Sequence, residues 1–173
     1  QPVVYFICET YGIEMTSASF SGVMIGLVPV VGIILGVIFL REKCSLFQIF
    51  CTVMSVVGVV LTTTGGVGEF SALGFILLLG AVLSTSGFTV LSRSIADEFS
   101  PFERTYVMTG LGGICFTVLS LVETKGQADA WIRPLTSLEF WIAVVYLALV
   151  SSVIAFLLIN YALNYLSVGK TLI

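Results

Sequence analysis

Residues 16–43, TSASFSGVMIGLVPVVGIILGVIFLREK, carry no charge until Arg41, Glu42 and Lys43. A helix over the uncharged part, rising about 1.5 Å per residue, is long enough to cross a hydrocarbon core of roughly 30 Å. The run reads as a transmembrane helix. On a helix that advances about 100° per residue, Ser19, Gly22, Gly26, Pro29 and Gly36 share one face, with Gly32 at its margin. Small residues on that face let neighbouring backbones approach, and in lipid such packing replaces the hydrophobic effect as the cause of association. Pro29 cannot donate to the Ile25 carbonyl, so a kink is expected near mid-membrane.

The rest of the chain has the same character. Of its 173 residues 58% are hydrophobic and 10% charged, and the mean hydropathy is +1.13, which marks an all-α integral membrane protein. A net charge of −3 gives a nucleic-acid partner no electrostatic basis. There is no histidine, the commonest acid–base group and metal ligand, so no metal or cofactor is expected. Cys8, Cys44, Cys51 and Cys115 form no CxxC pair, lie in or beside apolar segments, and read as small core hydrophobes.

In chain order, residues 1–13 read as the last half of a helix, apolar but too short to span, with Glu9 inside it and Glu14 and the TSAS turn closing it. No basic leader precedes that run. After the glycine-proline helix, further helices are expected over residues 46–63, 73–95, 101–123 and 138–163. Pro101 suits a first helical position with Ser100 as its cap. Gly65, Gly66 and Gly68 make a short loop. The long polar connection 124–137, carrying Lys125, Asp129 and Arg133, is expected on the membrane surface. A new apolar run begins at Gly169, and the chain is expected to be a piece of a longer membrane protein.

Five of the seven basic residues, Arg41, Lys43, Arg93, Arg104 and Lys170, fall at turns after alternate helices, against Lys125 and Arg133 on the other side. The excess of Lys and Arg on cytoplasmic loops therefore puts the turns near 41–45, 96–103 and 166–170 inside. At an offset of 150 residues Phe6 matches Phe156, Tyr11 matches Tyr161 and Ser17 matches Ser167. The loop assignment makes the first copy exit outward and the second inward. That is the signature of an inverted repeat.

The YGIEMTSAS turn, the VPVVGIILGVIFLREK helix, the Gln48-containing helix closing in VGVVL, and the second turn YALNYLSVG resemble the EamA-like members of the drug/metabolite transporter superfamily over nearly the whole chain. The resemblance implies a ten-helix fold of two inverted five-helix repeats. This chain would then be a truncated form running from late in helix three to the start of helix nine. Residues 1–64 would end the first repeat, 65–72 link, and 73–173 begin the second. Glu9 departs from the family pattern, so no role carries over to it.

Glu9 is the sharpest functional candidate, a carboxylate roughly 9 Å from its helix end among apolar neighbours. Either it faces a water-filled cavity and binds a cationic substrate or exchanges a proton, or it snorkels to the interface or pairs with a buried group. Thr85, Thr89 and Ser92 form a hydroxyl stripe with Ser84 and Ser86 beside it; Tyr106, Gly110, Gly113, Thr117 and Ser120 align on the next helix. Both stripes suggest where helices converge, although hydroxyls also bond back to their own helix. Asn160 needs a partner in lipid, another helix or a substrate. Glu42 reads as structural, Arg93 and Arg104 as facing lipid phosphate or water, and Trp131, Trp141 and Tyr146 as outer-interface anchors. The glycine runs lack phosphate-binding spacing. The expected function is secondary active transport of a small metabolite, amino acid or lipophilic drug by alternating access. Glu9, Thr85, Thr89, Tyr106 and Asn160 are the candidate substrate or coupling residues, and Gly22, Gly26, Pro29 and Gly36 the kinking and packing ones. The partners would be the substrate, the bilayer and protons if Glu9 couples. The alternative is a non-transporting membrane scaffold held by small-residue faces. A membrane enzyme finds thin support in one buried carboxylate.

Overall fold

A computed structural model describes residues 2–64, 71–125, 132 and 134–172, and every regular element among them is helical. They are α1 (Pro2–Glu14), α2 (Ala18–Ile25), α3 (Val28–Leu40), α4 (Leu46–Thr64), α5 (Ala72–Ser94), α6 (Pro101–Glu123), α7 (Leu138–Val145), a π-helical stretch (Tyr146–Ile154), α8 (Ala155–Tyr165) and α9 (Val168–Thr171). The Gly65–Gly68 loop, Asp129, Trp131 and Arg133 lie outside the described residues. Four helices are long and apolar enough to cross a membrane: Ala18–Leu40 taken through its interruption, Ala72–Ser94, Pro101–Glu123 and Leu138–Tyr165; Leu46–Leu61 is a shorter apolar helix. The exposed area is 11003 Å², where a soluble monomer of this mass would show about 8,200 Å². Much of that surface is large and apolar, Phe39, Phe50, Ile114 and Leu138 among it, which suits lipid and not water. The chain is a multi-pass helical membrane protein.

Helix starts follow local chemistry. Ser100 Oγ accepts from the Glu103 N–H and the Glu103 carboxylate accepts from the Ser100 N–H, a reciprocal cap with Pro101 at the first helical position. Ser17, Ser71 and Ser137 cap α2, α5 and α7 with the same hydroxyl-to-amide bond. Between α2 and α3 the helix is interrupted at Gly26 and Leu27, where the Leu27 N–H turns back to the Met24 carbonyl at 3.0 Å. Pro29, without a donor for the Ile25 carbonyl, follows directly as the second residue of α3.

That interruption corrects the expectation of one continuous groove. Gly22 and Gly26 are exposed, and a Cβ on Gly22 would meet nothing within 4 Å. α2 packs instead through Phe20, Ser21 and Met24, because the break shifts the helical register. Only the second half of the groove is a packed seam, formed by Gly32 and Gly36 of α3. A Cβ on Gly32 would run into Leu172 Cδ1, and one on Gly36 would lie 3.4 Å from Val168 Cβ. As residue numbers rise along α3 they fall along α9, so the two helices run antiparallel.

α5 is the centre of the bundle. Its Leu78 packs with Phe20 and Met24 of α2, and its Val90 packs with Leu163 of α8 and Val168 of α9. α1 lies antiparallel along it, with Gly12 against Leu78 and Gly74 against Thr16 and Met15. Near the end of α5 the turns at 41–45, 94–101 and 166–167 gather at one end of the bundle, since Glu42 meets both Arg93 and Val168. The first part of the last long helix, α7 and the π-helical stretch, has no buried residue; Ser152 Oγ donates to the Leu147 carbonyl five residues earlier. Trp141 and Tyr146 stand exposed there.

The four cysteines are free, and none is buried: Cys8, Cys44 and Cys51 are partly covered and Cys115 is exposed. They are not the core hydrophobes the sequence suggests, because the core is narrow and α5 fills it with Leu78, Ala81, Val82 and Val90.

The α1–α5 contact makes a direct prediction. A Cβ on Gly12 would sit 2.8 Å from Cγ of the fully buried Leu78, so Gly12→Ala should lower stability by about 1–3 kcal/mol in thermal or denaturant unfolding in mild detergent. Gly22→Ala, with open space around it, should be neutral or gain up to about 1 kcal/mol from helix propensity.

Candidate functional site

Polar side chains inside a membrane bundle need partners, because an unmet donor or acceptor there costs several kcal/mol. The described chain collects half of its buried ones in one place, where α5, α6 and α8 meet. Arg104 Nη1 donates to the Ser92 carbonyl at 2.7 Å and to Ser92 Oγ at 2.8 Å. Nη2 donates to the Asn160 carbonyl at 2.9 Å and to Asn164 Oδ1. Ser92 Oγ donates in turn to Asn160 Oδ1 at 2.6 Å, and Asn160 Nδ2 donates to Thr105 Oγ1 at 2.9 Å. Thr105 Oγ1 closes the chain by donating to the Pro101 carbonyl at 2.8 Å. Every proton in this sequence runs the same way, and Asn160, fully buried, has both ends of its amide bonded.

Arg104 is only 6% exposed, so the expectation that it faces lipid phosphate or water is not met. Its position at the fourth residue of α6 points it inward. The packed face of α6 is Arg104, Thr105, Met108 and Gly112, whereas Tyr106, Gly110, Gly113 and Thr117 lie on the exposed side, Tyr106 at 71%. The second stripe read from the sequence is therefore not where helices converge. Spacing alone could not choose between the two faces, since both carry small residues; the guanidinium decides, because only the α5–α8 side offers it four oxygens.

The first stripe does face inward. Ser86, Thr89 and Ser92 are buried and Thr85 is half-buried. Ser86 Oγ donates to the Val28 carbonyl at 3.1 Å, tying α5 to the start of α3, and Thr89 Oγ1 donates to the Thr85 carbonyl of its own helix at 3.0 Å. Glu9 is half-buried and accepts a 2.7 Å bond from Tyr5 Oη one turn earlier on α1. It is not joined to the Arg104 cluster.

Glu42 has a second function at the turn end. Arg41, with φ of 53° and ψ of 33°, ends α3 in a left-handed conformation that turns Glu42 back over Gly36. The carboxylate then accepts the Val168 N–H at 2.9 and 3.2 Å and lies 3.9 Å from Arg93 Nε. One acid thus joins the ends of α3 and α5 to the first turn of α9, where a negative charge also suits the helix N-terminal amides. The sequence reads Glu42 as structural, and its partners, 51 and 126 residues away, lie beyond what sequence spacing could name.

Beside Arg104 lies a cavity of about 530 Å³ between the start of α1, the C-terminal half of α5 and α6, lined by Phe88, Leu91, Ser92, Phe99, Arg104 and Met108 among others. Among the described residues no group of acids, cysteines or histidines could hold a metal ion.

If the Arg104 cluster is one unit, Asn160→Leu should destabilise by about 1–3 kcal/mol by leaving Ser92 and Thr105 without their partner. Its effect should be non-additive with Ser92→Ala by at least about 0.5 kcal/mol in a double-mutant cycle in detergent; strict additivity would show that the cluster is not coupled.

Comparison with known proteins fits this architecture. The profile of the EamA-like transporter family matches residues 1–64 and 72–173. The uncharacterized transporter YcxC of Bacillus subtilis (strain 168) is 28% identical over 174 residues, covering 98% of this chain and 56% of the relative. The uncharacterized transporter YetK of the same organism is 25% identical over 160 residues, covering 90% and 47%. The chain thus spans about half the length of these relatives. No solved structure matches it. With the family profile covering both sides of the 65–71 connection and a helical membrane bundle beneath it, the chain belongs to the EamA-like transporter family.

Proposed function

We propose that this protein acts in secondary active transport of a small metabolite, amino acid or lipophilic drug, by alternating access between two inverted repeats, residues 1–64 and 73–173. The observation that carries the reading is the α3–α9 seam. Ser17 opens α2, which continues past the Gly26–Leu27 break as α3, and its match Ser167 opens α9, both serines with extended backbone; α3 and α9 pack antiparallel through Gly32, Gly36 and Gly169. Antiparallel packing of matching segments is what an inverted repeat produces. Closely packed glycine seams slide or open at low steric cost, and the Glu42 bonds to Val168 and Arg93 make a small polar latch across this one.

In this reading the latch end is the cytoplasmic end of a protein in the cell membrane, in keeping with five basic residues at its turns. Glu9, hydrogen-bonded to Tyr5, is the coupling carboxylate, able to take up a proton on one side and release it on the other. Thr85 and Thr89 lie on the packed stripe of α5, outside the lining of the Arg104 cavity, Asn160 ties α8 to α5 and α6, and Tyr106 faces the surrounding lipid.

The seam test uses a disulfide. A Cβ on Gly36 would be 3.4 Å from Val168 Cβ, close to the usual separation of a disulfide's β-carbons. With the four native cysteines replaced, Gly36→Cys with Val168→Cys should cross-link under mild oxidation, and proteoliposome uptake should stop and return on reduction. Full uptake by the cross-linked protein would sink the alternating-access reading. Glu9→Gln should leave downhill exchange intact but remove the response of uptake to an imposed pH gradient; an unchanged response removes Glu9 from coupling.

A further inference from the structure

We infer that the cavity beside Arg104 is a binding site for an amphipathic anion, a carboxylate or phosphate head on an apolar body, with the Arg104 guanidinium attracting the head. The inference rests on the transport reading and adds a substrate class to it.

Arg104 is the anomaly in the structure. A guanidinium has five N–H donors and a permanent charge. Four donors go to neutral oxygens of Ser92, Asn160 and Asn164, and among the described residues no carboxylate pairs with the group. The Nε–H is buried and has no hydrogen-bond partner among the described residues. A buried cation of this kind is costly unless something negative approaches it. The acid nearest in function, Glu42, is already committed to Arg93 and Val168.

The cavity supplies the place for such a group. Arg104 is its only charged lining residue and Ser92 contributes its one hydroxyl, so the charge lies on one part of an otherwise apolar wall made of groups such as Phe88, Leu91, Phe99 and Met108. Its volume of about 530 Å³ falls within the usual range for small-molecule sites. A purely apolar ligand would leave the charge unanswered, and an organic cation would be repelled by it. An anion with a hydrocarbon or aromatic body answers both surfaces. Either a soluble organic acid or an anionic lipid headgroup offers that chemistry.

Cys115 lines the same cavity and is exposed, so it reports occupancy. The protein, with Cys8, Cys44 and Cys51 replaced by alanine, is placed in phosphatidylcholine nanodiscs and the rate of Cys115 alkylation by N-ethylmaleimide is followed. Saturating 4-phenylbutyrate is expected to slow alkylation at least tenfold, and 4-phenylbutylamine and 4-phenylbutanol less than twofold. Leu111→Trp, which fills the cavity without touching the Arg104 bonds, should abolish the protection. In nanodiscs containing phosphatidylglycerol, slow alkylation without any probe would support the site with lipid as the source of the anion. Protection by the amine equal to that by the acid, or no protection of Cys115 by 4-phenylbutyrate or by phosphatidylglycerol, would overturn the proposal. The readout is binding alone: loss of the anion preference with the seam cross-link still stopping uptake would fell only the substrate class.

Discussion

The structure depends on how one buried guanidinium is satisfied without an acid. Arg104 draws on a side-chain oxygen and a carbonyl of Ser92, the Asn160 carbonyl and Asn164 Oδ1, so α5, α6 and α8 must each turn a chosen face to the same point. Fixing those rotations fixes what is left outside. Tyr106 and Gly110 go to the surface because Arg104, two and six residues earlier and so on the other side of the helix, has to go in. In a low-dielectric interior each member of such a network needs its partners, and Asn160 spends both ends of its amide on Ser92 and Thr105, leaving the Arg104 Nε–H as the cluster's unmet donor among the described residues.

Close backbone approach is the second constraint. α1 and α5 meet where Gly12 and Gly74 leave room, and α3 and α9 where Gly32, Gly36 and Gly169 do. The two seams differ in what they press against. Gly12 abuts a fully buried leucine with nowhere to move, whereas Gly32 abuts the far end of Leu172, which has freedom to rearrange. The second seam is closed by Glu42 across the left-handed turn at Arg41.

The polar groups of the bundle therefore divide by location. Ser86, Ser92, Thr105 and Asn160 hold helices together through bonds to protein atoms, and Thr89 bonds back to its own helix. Glu9 stands apart on α1 with a single tyrosine partner, and Arg104 keeps one donor in reserve beside an apolar cavity. A transporter needs both kinds, a satisfied frame and a few groups left to answer the cargo.

The sequence by itself determined the all-helical membrane class, the family, and most helix ends, because hydropathy over about twenty residues and capping chemistry at Ser17, Ser100 and Pro101 are local properties. It also located the α5 hydroxyl stripe and the need of Asn160 for a partner. Only the tertiary structure decided which face of α6 turns inward, that Arg104 is buried, that Glu42 reaches Val168 and Arg93, and that the glycine groove ends at the Gly26–Leu27 break. Each of these depends on partners 50 or more residues away or on a register shift at one residue, and periodicity carries neither.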